Sequence, residues 1–139
     1  MDRQKILVFL LRLAGVSMGF ATLAIFLPTD LMDTIHASFG LGPLPRAPIT
    51  EYLTRSVAAV YAMHGGMFLV VSYNLPACRP VVTYLGFANI CFGIFMVGID
   101  IFAGLPWYWT CFEGPPIAMM GMALLWASKT RAGNSDTSN

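Results

Sequence analysis

Five polar side chains stand within or beside long apolar sequence, and through them this chain could do chemistry: Glu51, Arg55, His64, Asp100 and Glu113. Glu51 and Arg55 are four apart, the spacing that lets an acid and a guanidinium pair across one helical turn. Asp100 and Glu113 lie on either side of the aromatic turn AGLPWYW. Two carboxylates near one guanidinium leave a surplus negative charge, which suits a proton site, a cation site or the polar end of a ligand pocket. The same residues could equally form an ion-pair clamp that fixes helix order. On either reading Arg55 is expected to pair with Asp100, Glu113 or both. His64 is compatible with haem ligation or a proton relay, although the sequence identifies no second axial ligand and no carboxylate partner for it. His36 is expected to be exposed.

Other chemistry has no visible basis. There is no phosphate-cradling glycine loop, nucleophile elbow or HExxH pair, so no catalytic residue is predicted. Cys78, Cys91 and Cys111 are odd in number and lack CxxC spacing, which predicts neither a disulfide nor a metal framework. The net charge of +1, without a basic stripe, predicts no nucleic-acid partner.

The elements that must position these residues are read from the apolar runs. With 57% apolar and 11% charged residues, the chain falls far below the roughly 25% charged residues of a soluble domain. Its 139 residues fit one domain. The runs at 6–27, 52–73, 81–103 and 107–127 approach or exceed the ~20 residues that cross a bilayer as helix. The expected fold is all-α: a polytopic membrane four-helix bundle spanning residues 1–128, followed by a polar, flexible cytoplasmic tail at 129–139. In the fourth run Pro115 and Pro116 would free the carbonyls of Cys111 and Phe112. That predicts a span kinked near Glu113 in preference to irregular backbone covered by other helices.

Arg3 and Lys5 precede the first run, Arg79 lies between the second and third, and Lys129 and Arg131 follow the fourth. Cations stay on the cytoplasmic side, so a multi-pass protein of a bacterial inner membrane is predicted, with both termini cytoplasmic. A cleaved secretory signal is the rival reading of the N-terminus; the length of the run and Arg12 within it argue against that.

Small residues mark the helix contacts. Gly15 and Gly19 in the first run, Ala58, Ala62 and Gly66 in the second, and Gly86, Asn89 and Gly93 in the third are predicted packing faces. Arg12 either snorkels outward or meets a partner inside. In the first link, PTDLMDTIHASFGLG predicts a short interfacial helix over about 29–39, capped by Thr29 or Asp30 and stopped by Gly40. GPLPRAP, at 42–48, predicts a fixed, extended return, and NLPACRP, at 74–80, a tight antiparallel link.

EYLTRSVAAVYAMHGG at 51–66, IDIFAGLPWYWTCFEGP at 99–115 and PTDLMDTIHASFGLGPLP at 28–45 together resemble a group of uncharacterised short bacterial membrane proteins of four helices. More distantly, the layout is similar to DoxX-like small membrane proteins, some implicated in quinone-linked sulfur oxidation or redox complexes. The resemblance implies the four-helix membrane architecture and transfers no catalytic residue.

The function expected on these grounds is non-enzymatic. The bundle would sit in the lipid bilayer and bind a lipid-like ligand, a partner membrane protein or a second copy of itself. One alternative is a small quinone- or redox-linked subunit, with His64, Tyr61, Trp107 and Trp109 lining a quinone or haem site; no cofactor is otherwise predicted. Another is a proton- or ion-coupled transporter acting as a dimer through Asp100 and Glu113.

Overall fold

The computed structural model describes residues 2–129; the tail expected beyond that point lies outside the described residues. Among those residues the regular structure is entirely helical: α1 Arg3–Gly19, α2 Ala21–Phe26, α3 Thr29–Ser38, α4 Pro48–Tyr73, α5 Leu75–Ala103 and α6 Trp107–Ser128. Three stretches, Arg3–Phe26, Pro48–Tyr73 and Leu75–Ala103, are long and apolar enough to cross a membrane, which supports a membrane protein. The surface agrees, since large apolar side chains such as Phe102, 96% exposed, stand out on all four long segments.

Local sequence explains where each helix starts and stops. The Asp2 carboxylate accepts from the Gln4 backbone N–H and caps α1. α1 and α2 are almost continuous, since Phe20 keeps helical angles and only tightens the ladder, its carbonyl accepting from Leu23 N–H. α3 begins after Pro28 with no side-chain cap, so Thr29 and Asp30 lie in its first turn and do not cap it. Gly40, at φ 74°, follows its last turn in the left-handed region.

The return from α3 to α4 is stapled to α3 by side chains. Asp33 accepts from Leu44 N–H at 2.7 Å, and Arg46 pairs with Asp30 at 2.9 Å. His36 is half-buried and not exposed as expected, its Nδ1 at 2.8 Å from the Gly42 carbonyl oxygen. The expected link at 74–80 shrinks to Asn74 alone, for α5 starts at Leu75. Pro76 lies in its first turn, where no intrahelical donor is needed, and Pro80 is accommodated within the helix. α6 is helical throughout despite Pro115 and Pro116, so the irregular-backbone alternative does not hold.

The helices associate mainly as two antiparallel pairs, α1 with α4 and α5 with α6, joined by α1 against α6, while α4 and α5 touch little. α2 extends the first pair along α4. The apolar core lies toward the Asn74 end, where Leu11, Phe68, Leu85 and Leu124 are fully buried. In the first pair a Cβ on Gly15 would approach the Gly65 carbonyl oxygen to 2.9 Å, and one on Gly65 the Gly15 carbonyl oxygen to 2.7 Å. Gly65 therefore provides the close approach. Gly66 is exposed with nothing within 4 Å, and a Cβ at Gly19 would also meet open space. Ala58 is buried and Ala62 half-buried on the Gly65 side of α4, which replaces the face expected at Gly66.

Gly66→Ala is accordingly expected to raise stability by about 0.5–1 kcal/mol through helix propensity alone. Unfolding by SDS in mixed micelles measures it, and a clear loss would mean that Gly66 packs against a neighbour.

Candidate functional site

The polar residues gather away from the apolar core, at the end of the molecule that carries α3. On α5, Gly86, Gly93 and Asp100 are seven apart, a spacing that returns to one face after two turns. That face meets α6 closely. A Cβ on Gly86 would press on Leu125 at 2.6 Å, and one on Gly93 would lie 2.6 Å from the Gly114 carbonyl oxygen. Asn89, buried beside them, donates from Nδ2 to the Leu85 carbonyl at 2.7 Å, so its amide donor is engaged within its own helix. Val97 packs on Gly114, and Asp100 follows one turn further on.

Asp100 is 1% exposed, and its Oδ2 has no hydrogen-bond partner among the described residues. Its main chain is occupied: Leu105 N–H donates to the Asp100 carbonyl at 3.0 Å and Gly104 N–H to that of Ile101 at 3.2 Å, with Gly104 left-handed at φ 70°. This pair of bonds is a Schellman termination. It also places the Asp100 side chain in the last turn of α5, the negative end of the helix dipole, where an anionic group is disfavoured.

Glu113, half-buried on α6, directly precedes Gly114, which packs on Gly93 and Val97 of α5, so it lies about one turn from the level of Asp100. Trp109, one turn before it, donates from Nε1 to the Glu113 carboxylate. The Trp109 ring packs edge-on against Phe39 at 5.9 Å, and Tyr108 donates from its hydroxyl to the Phe39 carbonyl at 2.9 Å. These contacts lay the end of α3 over the start of α6. Tyr61 bridges to α5 through an edge-on contact with Phe92 at 6.3 Å.

Arg55 does not join this group. Its guanidinium donates to the carbonyls of Ile25 and, at 3.1 Å, Leu27, at the C-terminal end of α2. The last carbonyls of a helix lack intrahelical donors and carry partial negative charge, and a forked cation satisfies two at once. The expected pairing of Arg55 with Asp100 or Glu113 is therefore corrected, and Glu51 has no ion pair among the described residues. Arg12 is exposed, with its guanidinium 5.3 Å from the centre of the Tyr73 ring. His64 sets its ring edge-on to Phe68 at 5.1 Å and makes no hydrogen bond to another described residue. No group of three His, Cys, Asp or Glu among the described residues could hold a metal ion.

Of the residues singled out by sequence, the structure thus places Asp100 and Glu113 on neighbouring levels of the α5–α6 contact and engages Arg55 with the end of α2, while Glu51 and His64 make no ion pair or hydrogen bond to either acid among the described residues. Trp109 was legible as a partner, because it stands four residues before Glu113 on one helix. The Ile25 and Leu27 carbonyls were not, since main-chain acceptors leave no mark in the sequence.

No protein-family model, no curated protein and no solved structure matches the chain.

Proposed function

We propose that the protein is a four-span membrane bundle that holds a lipid-like molecule, without transforming it, by a donor-bearing head group placed against Asp100 and Glu113. α6, with 22 residues, supplies the fourth crossing, since at ~1.5 Å per residue it covers about 33 Å. Arg3, Arg79 and Lys129 lie together at one end, which supports both termini on the cytoplasmic side of a bacterial inner membrane and Asp100 towards the outer face.

The observation that carries this reading is the unpartnered Oδ2 of Asp100, buried and at the unfavourable end of α5. A buried acceptor without a donor costs about 1–3 kcal/mol, and nothing in the packing of α5 on α6 needs it. A ligand hydroxyl or amine supplies the donor. An oxidised quinone offers carbonyl acceptors only, and so answers Asp100 less well than a hydroxyl- or amine-bearing lipid.

The test is solvent extraction and mass analysis of what copurifies with the protein in lipid nanodiscs, with Asp100→Leu in parallel. The wild-type protein is expected to retain one lipid-like species in stoichiometric amount, and Asp100→Leu to lose it. The same substitution is expected to stabilise the ligand-free protein by about 1–3 kcal/mol, because it removes the unpaired acceptor. Bulk phospholipid alone on the wild-type protein, or an Asp100→Leu variant less stable than the wild type, would sink the proposal.

A further inference from the structure

The opposite end of the molecule carries a second site, built from different residues. A cavity of about 440 Å³ opens between the start of α1, the start of α5 and the end of α6. Arg3, Arg79 and Lys129 line it, with Leu7, Leu75 and Val82 among its apolar walls. Arg3 is held in place, donating from Nη1 to the Lys129 carbonyl at 3.2 Å and lying 5.1 Å from the centre of the Trp126 ring. Arg79 is exposed, and its guanidinium makes no hydrogen bond or ion pair to another described residue. The one acid on the wall, Asp2, is engaged in capping α1. The positive dipole ends of α1 and α5 face the same space and outnumber the one negative end, that of α6, which also borders it.

A second hollow adjoins the first. It runs between α5 and α6 along Thr83, Phe87, Met122 and Leu125, and it shares Ser128 and Lys129 with the basic cavity. Phe87 and Met122 are exposed there, so the furrow lies open on the apolar surface. A cationic, polar cavity leading into an apolar furrow has the two-part chemistry of one molecule: an anionic head joined to a hydrocarbon chain.

We infer that this end binds an anionic phospholipid, its phosphate among Arg3, Arg79 and Lys129 and one acyl chain along the α5–α6 furrow. The inference rests on the membrane reading above, though not on the Asp100 site. Charge complementarity selects the occupant: a zwitterionic lipid brings its own cation into a cavity that already holds three, whereas phosphatidylglycerol or cardiolipin brings only negative charge. Free inorganic phosphate shares the head chemistry but leaves the furrow empty.

The experiment is native mass spectrometry of the full chain released from nanodiscs of equimolar phosphatidylcholine and phosphatidylglycerol. Wild-type protein is expected to retain phosphatidylglycerol over phosphatidylcholine, and Arg79→Gln to reduce that preference about fivefold, the value of one cation near an anionic lipid surface. Arg79 holds no other part of the fold, so its replacement leaves the protein folded. Arg46→Gln, which removes the same charge at the far end, is expected to retain the wild-type preference. Equal retention of the two lipids by the wild-type protein would overturn the site, as would an equal loss in both variants. Displacement of phosphatidylglycerol by millimolar inorganic phosphate would overturn the lipid in favour of a free anion. Failure of the chain to enter nanodiscs would overturn the membrane reading itself, and the protein recovered in the disc-free fraction distinguishes that result.

Discussion

Gly93→Leu is expected to separate α5 from α6 and to lower the stability of the folded protein by about 3 kcal/mol or more, the upper range for forcing side-chain volume into a closed contact. A first carbon at this position would lie 2.6 Å from the Gly114 carbonyl oxygen and 2.7 Å from the Ala118 amide nitrogen. Both obstacles are main chain, which cannot rotate aside as a side chain would. Gly114 and Gly121 repeat the arrangement from the α6 side, the latter against the Gly86 carbonyl oxygen at 2.5 Å. Relief by a shift of one helix is therefore opposed at two levels along the contact, Gly93 with Gly114 and Gly86 with Gly121. Gly98→Ala, five residues away on the same helix with open space around it, is the matched control. It is expected to gain about 0.5–1 kcal/mol from reduced chain entropy. SDS unfolding in mixed micelles measures both, and a Gly93→Leu protein as stable as the wild type would mean that α5 and α6 do not pack face to face through these glycines. Because Asp100 sits on the same face, its enclosure should fail with the contact.

Arg55→Leu is expected to cost about 3 kcal/mol, through two charge-assisted bonds each worth roughly 1.5–3 kcal/mol less the solvation regained. The loss falls on α2, whose last carbonyls at Ile25 and Leu27 then have no donor from this side chain. Arg55→Lys should recover only part of it, since an ammonium is a point charge without the planar fork. A double-mutant cycle with Asp100→Asn separates this account from an ion pair. With Arg55 bound to α2, the coupling between the two substitutions should stay below about 0.5 kcal/mol, as for independent sites. A coupling several times larger would restore the direct pairing of Arg55 with Asp100.

The sequence was read correctly wherever the deciding physics was local. Apolar runs announce helices because a buried main chain has to hydrogen-bond within itself, and the four runs fall on α1 with α2, on α4, on α5 and on α6. The short helix of the first link was legible in the same way from its apolar spacing and the glycine that stops it. Boundaries failed where proline was given too much weight: Pro76 and Pro80 suggested a loop, yet α5 starts before both; a helix lacks partners for its first amides and so tolerates Pro76, while Pro80 lies within the helix at the loss of one backbone bond.

Other features were decided between helices. Gly65 and Gly66 are equivalent in sequence, and only the angle at which α1 meets α4 selects the first for the contact. Arg55 was expected to seek a carboxylate because side-chain charges are what a sequence displays. Its partners are instead main-chain carbonyls some 30 residues earlier, freed by the end of α2. The sequence by itself determined that the chain is helical, apolar and sparsely charged, and that Asp100 and Glu113 frame one turn. Tertiary structure alone decided that Asp100 lies enclosed with an oxygen unpartnered, since burial and hydrogen bonding depend on which helices close over a side chain.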